Sequence, residues 1–231
     1  MPDERGICIY CGADGPITAD HVPPQTLFGK PRPSDLLTVP SCERCNNLAS
    51  LDDEYFKSRI AFRKDIKEHE VIKQIRPSVI RAFEKKEKQG FAKAFLRSLQ
   101  RVDFPGSPGP AQPGLTYEVE LDRLYRVIAR VTHGYHWKEV GHRIDLSTCY
   151  VGVVGDEQLE GADPEFQEAT RQQFSTAPST TIGNKVFSFQ GVRDKADRRV
   201  TVWLMTFYER VNFLSATLPY ETEQGEAQHD V

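Results

Sequence analysis

Two Cys-x-x-Cys knuckles, Cys8 with Cys11 in CIYCG and Cys42 with Cys45 in CERCNN, constrain this chain more than any other feature. Four thiolates paired in this way are the commonest means of building a closed tetrahedral zinc site. The alternative for such pairs is a zinc-free core or redox pair, which nearby turn residues argue against. Residues 1 to about 51 are punctuated by Gly12, Gly15, Pro16, Pro23, Pro24, Gly29, Pro31, Pro33 and Pro40, so regular elements there are short. A segment of that kind needs a brace, and zinc supplies one. A four-thiolate zinc has no open coordination position, so any chemistry must come from other residues.

The interval between the knuckles, residues 12 to 41, is longer than the fifteen to twenty residues of a compact zinc ribbon. It carries TADHVPPQTLF, in which an adjacent Asp20 and His21 are followed by Pro23 and Pro24. Stiffening the backbone directly after a polar pair implies that its orientation matters.

Taken together, CIYCG, ADHVPP and VPSCERCNN resemble the HNH endonucleases, the ββα-metal nucleases, in the branch whose motif is bracketed by two zinc knuckles. The resemblance covers roughly the first fifty residues. It implies that Asp20 ligates a catalytic divalent cation, that His21 is the general base, and that Asn46, after the last Cys, is a second ligand on the motif helix. The chemistry is coherent beside the likeness. Neighbouring residues on a strand project to opposite sides, so Asp20 can face a metal while His21 faces a phosphate. An Asp carboxylate with an Asn amide suits magnesium or manganese, and His is the side chain suited to base catalysis near neutral pH. Two positions depart from the family. Leu37 stands where an Asn that orients the base is often found, and Ala49 stands where a Lys is common, with Asp52 and Asp53 beyond as further ligand candidates.

A net charge of −3 looks unsuited to nucleic acid, but charge is segregated. From Lys57 to Arg101 there are 14 Lys/Arg against 5 Asp/Glu, a local +9 that leaves −12 for the rest. LDDEYFKSRIAFRKDIKEHEVIKQI, with acids in its first turn and apolar residues at helical spacing, predicts a helix from Leu51 that Pro77 breaks or kinks, followed by a second helical stretch. Lys57, Arg59, Arg63, Lys64 and Lys67 on the first helix are expected to hold a phosphate backbone without reading sequence.

The expected organisation is therefore α+β: residues 1–56 a zinc-braced ββα-metal motif, 57–102 basic helices, 103–114 a Pro/Gly linker, 115–220 an α+β domain with a mostly antiparallel sheet, and 221–231 a disordered acidic tail. Within the third part, residues 121–140 read as a helix, STCYVGVVG as a buried strand, and the β-branched and aromatic runs after residue 185 as further strands. His133, His136 and His142 could form a second metal site, but with no matched carboxylate an ordinary helix face is the better reading. No apolar run spans a bilayer and the N-terminus lacks a signal-peptide h-region, so a cytoplasmic protein with no membrane partner is expected.

The functional expectation is a metal-dependent endonuclease acting on DNA, with structural zinc and catalytic magnesium or manganese. A lone HNH site cuts one strand, so double-strand breaks call for a homodimer or two visits. The alternatives are a non-catalytic zinc module that binds DNA or a protein, and a nuclease gated by a regulatory ligand on the C-terminal domain.

Overall fold

The computed structural model describes residues 5–86, 89–104 and 112–220, so the expected acidic tail and the middle of the expected linker lie outside the described residues. The chain begins with two antiparallel hairpins, β1 (Arg5–Ile7) with β2 (Asp14–Pro16), then β3 (Thr18–Val22) with β4 (Leu37–Ser41). The helices α1 (Glu43–Ala61), α2 (Glu70–Phe83) and α3 (Gln89–Ser98) follow. A hairpin of β5 (Gln100–Phe104) and β6 (Gln112–Thr116) leads into α4 (Leu121–Val140). After β7 (Cys149–Gly155), α5 (Asp156–Glu160) and α6 (Pro164–Phe174) come β8 (Thr180–Ile182), β9 (Phe187–Arg193), β10 (Thr201–Phe207) and β11 (Val211–Pro219). The last four strands and β7 form one antiparallel sheet in the order β7-β11-β10-β9-β8. The fold is α+β, with six α-helices among the described residues.

Three details differ from expectation. The helix predicted from Leu51 starts eight residues earlier, at Glu43, because extended Cys42 caps it and the second knuckle opens its first turn. Pro77 lies inside α2 and does not end it. Its ring removes one N–H from the helix ladder, while Val71, Ile72, Ile75 and Val79 keep the apolar face continuous across it. The ends of the expected linker are strands, with Asp103 opposite Pro113 and Phe104 opposite Gln112. Pro113 has no donor and is tolerated because a two-stranded ribbon has an open edge on each side.

Along β10 the buried residues alternate, Thr201, Trp203, Met205 and Phe207, so one face of the sheet carries the core. Helix α4 covers that face through Leu124, Val127, Ile128, Val131 and Tyr135, and α1 reaches it where the Phe56 ring meets Phe207 at 5.3 Å. Residues on the other side of α4 pack on β3, β4 and α1. Its middle turns are consequently buried nearly all round, which is why Thr132, His133 and His136 are buried as well. Their polar atoms need partners: Thr132 bonds Ser215 at 2.6 Å, and His136 Nδ1 bonds Thr201 Oγ1 at 3.0 Å. One hydrophobic cluster runs from Ile9 and Val22 through Phe56 and Val131 to Phe213.

Candidate metal centre

The four knuckle thiols converge. The Sγ atoms of Cys8, Cys11, Cys42 and Cys45 all lie within 4.8 Å of one another, and Cys11 and Cys42 are 3.8 Å apart. Tetrahedral zinc with Zn–S bonds near 2.3 Å puts its sulfurs about 3.8 Å apart, so the donor set fits that ion. The electrostatics agree. Burial alone would push the Cys8 thiol up, yet backbone hydrogen bonds from Cys42, Cys11 and Tyr10 bring it down to about 7. Burial and the neighbouring sulfurs push Cys45 upward. Packed thiolates repel, and a divalent ion at their centre relieves that repulsion. Cys149, buried in β7, takes no part.

Between the two knuckles and into the helix that the second one opens, the order is strand, strand, helix: β3, β4, α1. Asp20 pairs with Val39 and His21 with Thr38 across the hairpin. The alternation of the strand sends Asp20 and Val22 into the protein and leaves His21 half-exposed on the outer face, as adjacent positions require. Thr18 shares the face of Asp20, and its hydroxyl accepts from Asn46 Nδ2 at 3.1 Å. Asn46, on the first turns of α1, thus points to the strand that carries Asp20, but its amide goes to Thr18.

Asp20 is only 6% exposed and is already engaged. Its Oδ2 accepts from Tyr10 Oη at 2.8 Å and from Arg130 Nη2 at 2.6 Å. Arg130, from α4, also donates from Nη1 to Asp53 Oδ1 on α1 at 2.7 Å. Burial pushes the Asp53 carboxyl up to about 6 against the pull of Arg130, with Asp20 adding to the rise. Burial and Asp20 together raise the Tyr10 phenol, which therefore stays a donor. The preceding residue, Asp52, accepts from Arg123 at 2.8 Å and Arg126 at 2.6 Å. These two arginines more than offset the effect of its burial and hold the carboxyl below its usual range.

This arrangement does not fit a divalent cation on Asp20 and Asn46. A guanidinium 2.6 Å from Asp20 already supplies the positive charge, and a second, doubly charged ion beside it would meet strong repulsion in a poorly solvated site. Nor do Asp52 and Asp53 serve as ligands, since both are bound to arginines. The four-cysteine group is the one His/Cys/Asp/Glu cluster with metal-binding geometry among the described residues.

The five basic residues expected on a nucleic-acid face divide. Arg59 is buried, 5% exposed, and cannot reach a phosphate backbone outside. Arg63 is bound to Asp65 at 2.7 Å and Asp156 at 3.1 Å, and Lys57 donates to Ser78 at 3.4 Å. Lys64 and Lys67 are exposed. His133 packs edge-on against Tyr10 with centroids 5.8 Å apart, and His136 is bonded to Thr201, so the histidines of α4 are core residues.

Asp53 enters as an ion-pair partner and not as the metal ligand the sequence offered, and motif reading misses Tyr10 and Arg130. A signal for the last exists: Arg123, Arg126 and Arg130 at i, i+3 and i+7 make one basic helical stripe that answers the acids Asp52 and Asp53. No protein-family model matches the chain, and neither the curated proteins nor the solved structures provide a match. Among the described residues no helix is long and apolar enough to cross a membrane.

Proposed function

We propose that the protein is an endonuclease that hydrolyses phosphodiester bonds of DNA, with His21 as general base. The observation that carries this reading is the order β3-β4-α1 set on a four-cysteine cluster, with His21 alone of the Asp-His pair turned outward. A half-exposed imidazole can accept a proton from water as it attacks a phosphorus atom, which is what a general base on an open surface must do. The P–O3′ bond breaks and the departing 3′ oxygen takes a proton from solvent, leaving a 5′-phosphate and a 3′-hydroxyl, as the HNH resemblance implies. Exposed Lys64 and Lys67 are the backbone-holding members of the basic set.

Magnesium or manganese enters as a condition to be tested. With Arg130 on the Asp20 carboxylate and Asn46 bonded to Thr18, these residues do not fit the ion, so the reading rests on His21 and the metal is a variable of the assay. Supercoiled-plasmid nicking in each metal, beside EDTA and His21→Ala, is the decisive assay. The expected result is wild-type nicking that falls on the order of 10²–10⁴-fold in His21→Ala with gel-shift binding retained. Equal rates in wild type and His21→Ala, or no cleavage of DNA or RNA in either metal, refutes the reading.

The second reading, a non-catalytic zinc module that binds DNA or a protein, draws on the burial of Asp20 beneath Arg130 and Tyr10. There the carboxylate is a structural anchor, and His21→Ala changes nothing.

A further inference from the structure

At the opposite end of α1 from Asn46 lies a cavity of about 990 Å³. Its walls are the last turn of α1, the β5-β6 hairpin, the start of α4 and the β7-α5 junction. Asn46 and Ile60 are fourteen residues apart on one helix, about 21 Å of rise, so the cavity is separate from the hairpin that carries His21.

The floor is apolar, formed by Leu124, Val211 and Phe213. Arg59, also in its lining, is the unusual group. It is 5% exposed, and its guanidinium sits against the rings of Tyr55 at 4.4 Å, Phe95 at 4.8 Å and Phe91 at 5.2 Å. Among the described residues no carboxylate pairs with it, and its buried Nε and Nη1 have no hydrogen-bond partner. Aromatic faces recover part of the cost of burying a cation, but a buried charge is ordinarily paired, and leaving donors unmade is unfavourable. Neighbouring Arg63 is different: Asp65 and Asp156 neutralise it. At the rim, exposed Lys64 holds its Nζ 5.3 Å above the Phe104 ring. The wall opposite supplies an acceptor in Asp156, whose Oδ1 takes the Asn212 N–H at 2.7 Å.

We propose that this cavity binds a small anion that carries a flat aromatic group, of the class of nucleoside monophosphates. The phosphate answers the uncompensated cation of Arg59 and the charge of Lys64. The base lies on the apolar floor among aromatic rings. The volume is ample for a ligand of that size. This assignment stands independently of the endonuclease reading, because it is read by binding alone.

The test is calorimetric titration and thermal shift on the full chain with the four 5′-ribonucleoside monophosphates, the matching nucleosides and inorganic phosphate. The expected result is that at least one nucleotide binds and raises the melting temperature, with its nucleoside and inorganic phosphate each about tenfold weaker or more. Arg59→Met, which keeps the aromatic packing and removes the unpaired charge, should fold at least as stably and bind about tenfold or more weaker. Lys64→Ala, at an exposed position, should weaken binding several-fold and serves if Arg59→Met fails to fold. Absence of nucleotide binding at millimolar concentration, inorganic phosphate binding as tightly as the best nucleotide, or unchanged affinity in the folded variants overturns the proposal.

Discussion

Gly134 lies in the middle of α4, where a helix gains about 1 kcal/mol from alanine, yet the prediction for Gly134→Ala is destabilisation. A Cβ there would stand 2.8 Å from Val22 Cγ1, 3.0 Å from Cγ2 and 3.1 Å from Cβ. Rotating the valine cannot clear it, because the third atom is the branch point. Val22 is 2% exposed and follows the Asp-His pair on β3, so the methyl group must push helix and strand apart. Overpacking of this kind costs about 1–3 kcal/mol, which leaves a net loss of about 0–2 kcal/mol after the gain in helix propensity. Val22→Ala alone should cost about 1–3 kcal/mol by opening a small cavity. In the double variant the new methyl occupies part of that space, so Gly134→Ala becomes neutral or stabilising. Urea unfolding followed by circular dichroism gives the four free energies of the cycle. A coupling of at least about 1 kcal/mol is expected. Additivity within about 0.5 kcal/mol would mean that α4 and β3 are not in the contact described, and the reasoning fails.

Other consequences can be measured in parallel. Arg130→Met leaves buried Asp20 and Asp53 without their cation and should cost about 3–5 kcal/mol, with part restored by adding Asp53→Asn; an unchanged urea midpoint would contradict the network. Metal analysis should find one zinc per chain, and Cys45→Ser should lose it together with several kcal/mol of stability, since the metal contributes directly to folding. Burial first, then the charges of His136 and Arg143, pushes His133 down to about 4, and burial with His142 does the same to His136. Depressed imidazoles give stability that is full above the unfolded value near 6.5 and is lost as pH falls toward 4, about 3 kcal/mol for each ring. Urea midpoints should therefore drop steeply from pH 7 to pH 4.5, and His136→Gln should flatten that slope.

The sequence is most explicit where a side-chain type dictates geometry. Two knuckles read as a zinc site because four thiols at that spacing can close a tetrahedron, and the strands from Phe187 to Pro219 read from their β-branched and aromatic residues. The helix at Leu121–Val140 was equally legible from its period. Its role was not, because periodicity reports which face is apolar and says nothing of what a buried polar residue will meet. Asp20 shows the limit. A local motif assigns its carboxylate to a metal, while its actual partner, Arg130, is 110 residues away and becomes a neighbour only through the packing of α4 on β3. Arg59 erred in the same direction, since a basic run suggests a solvated face and the aromatic residues that enclose it come from α3 as well as α1.

Tyr208 donates its hydroxyl to the Leu27 carbonyl at 2.7 Å across 181 residues of chain. At translation rates of about 5–20 residues per second, on the order of ten to thirty seconds pass between the emergence of these two partners. Until the last strands emerge, Leu27, Val22 and Phe56 have no complete sheet to pack on, and for roughly the first half of the interval Asp20 waits for Arg130. The zinc knuckles are complete long before, at Cys45. They give the nascent chain a metal-held fold-back that needs nothing downstream, so loading of zinc should precede, and organise, the long-range closure of the finished protein.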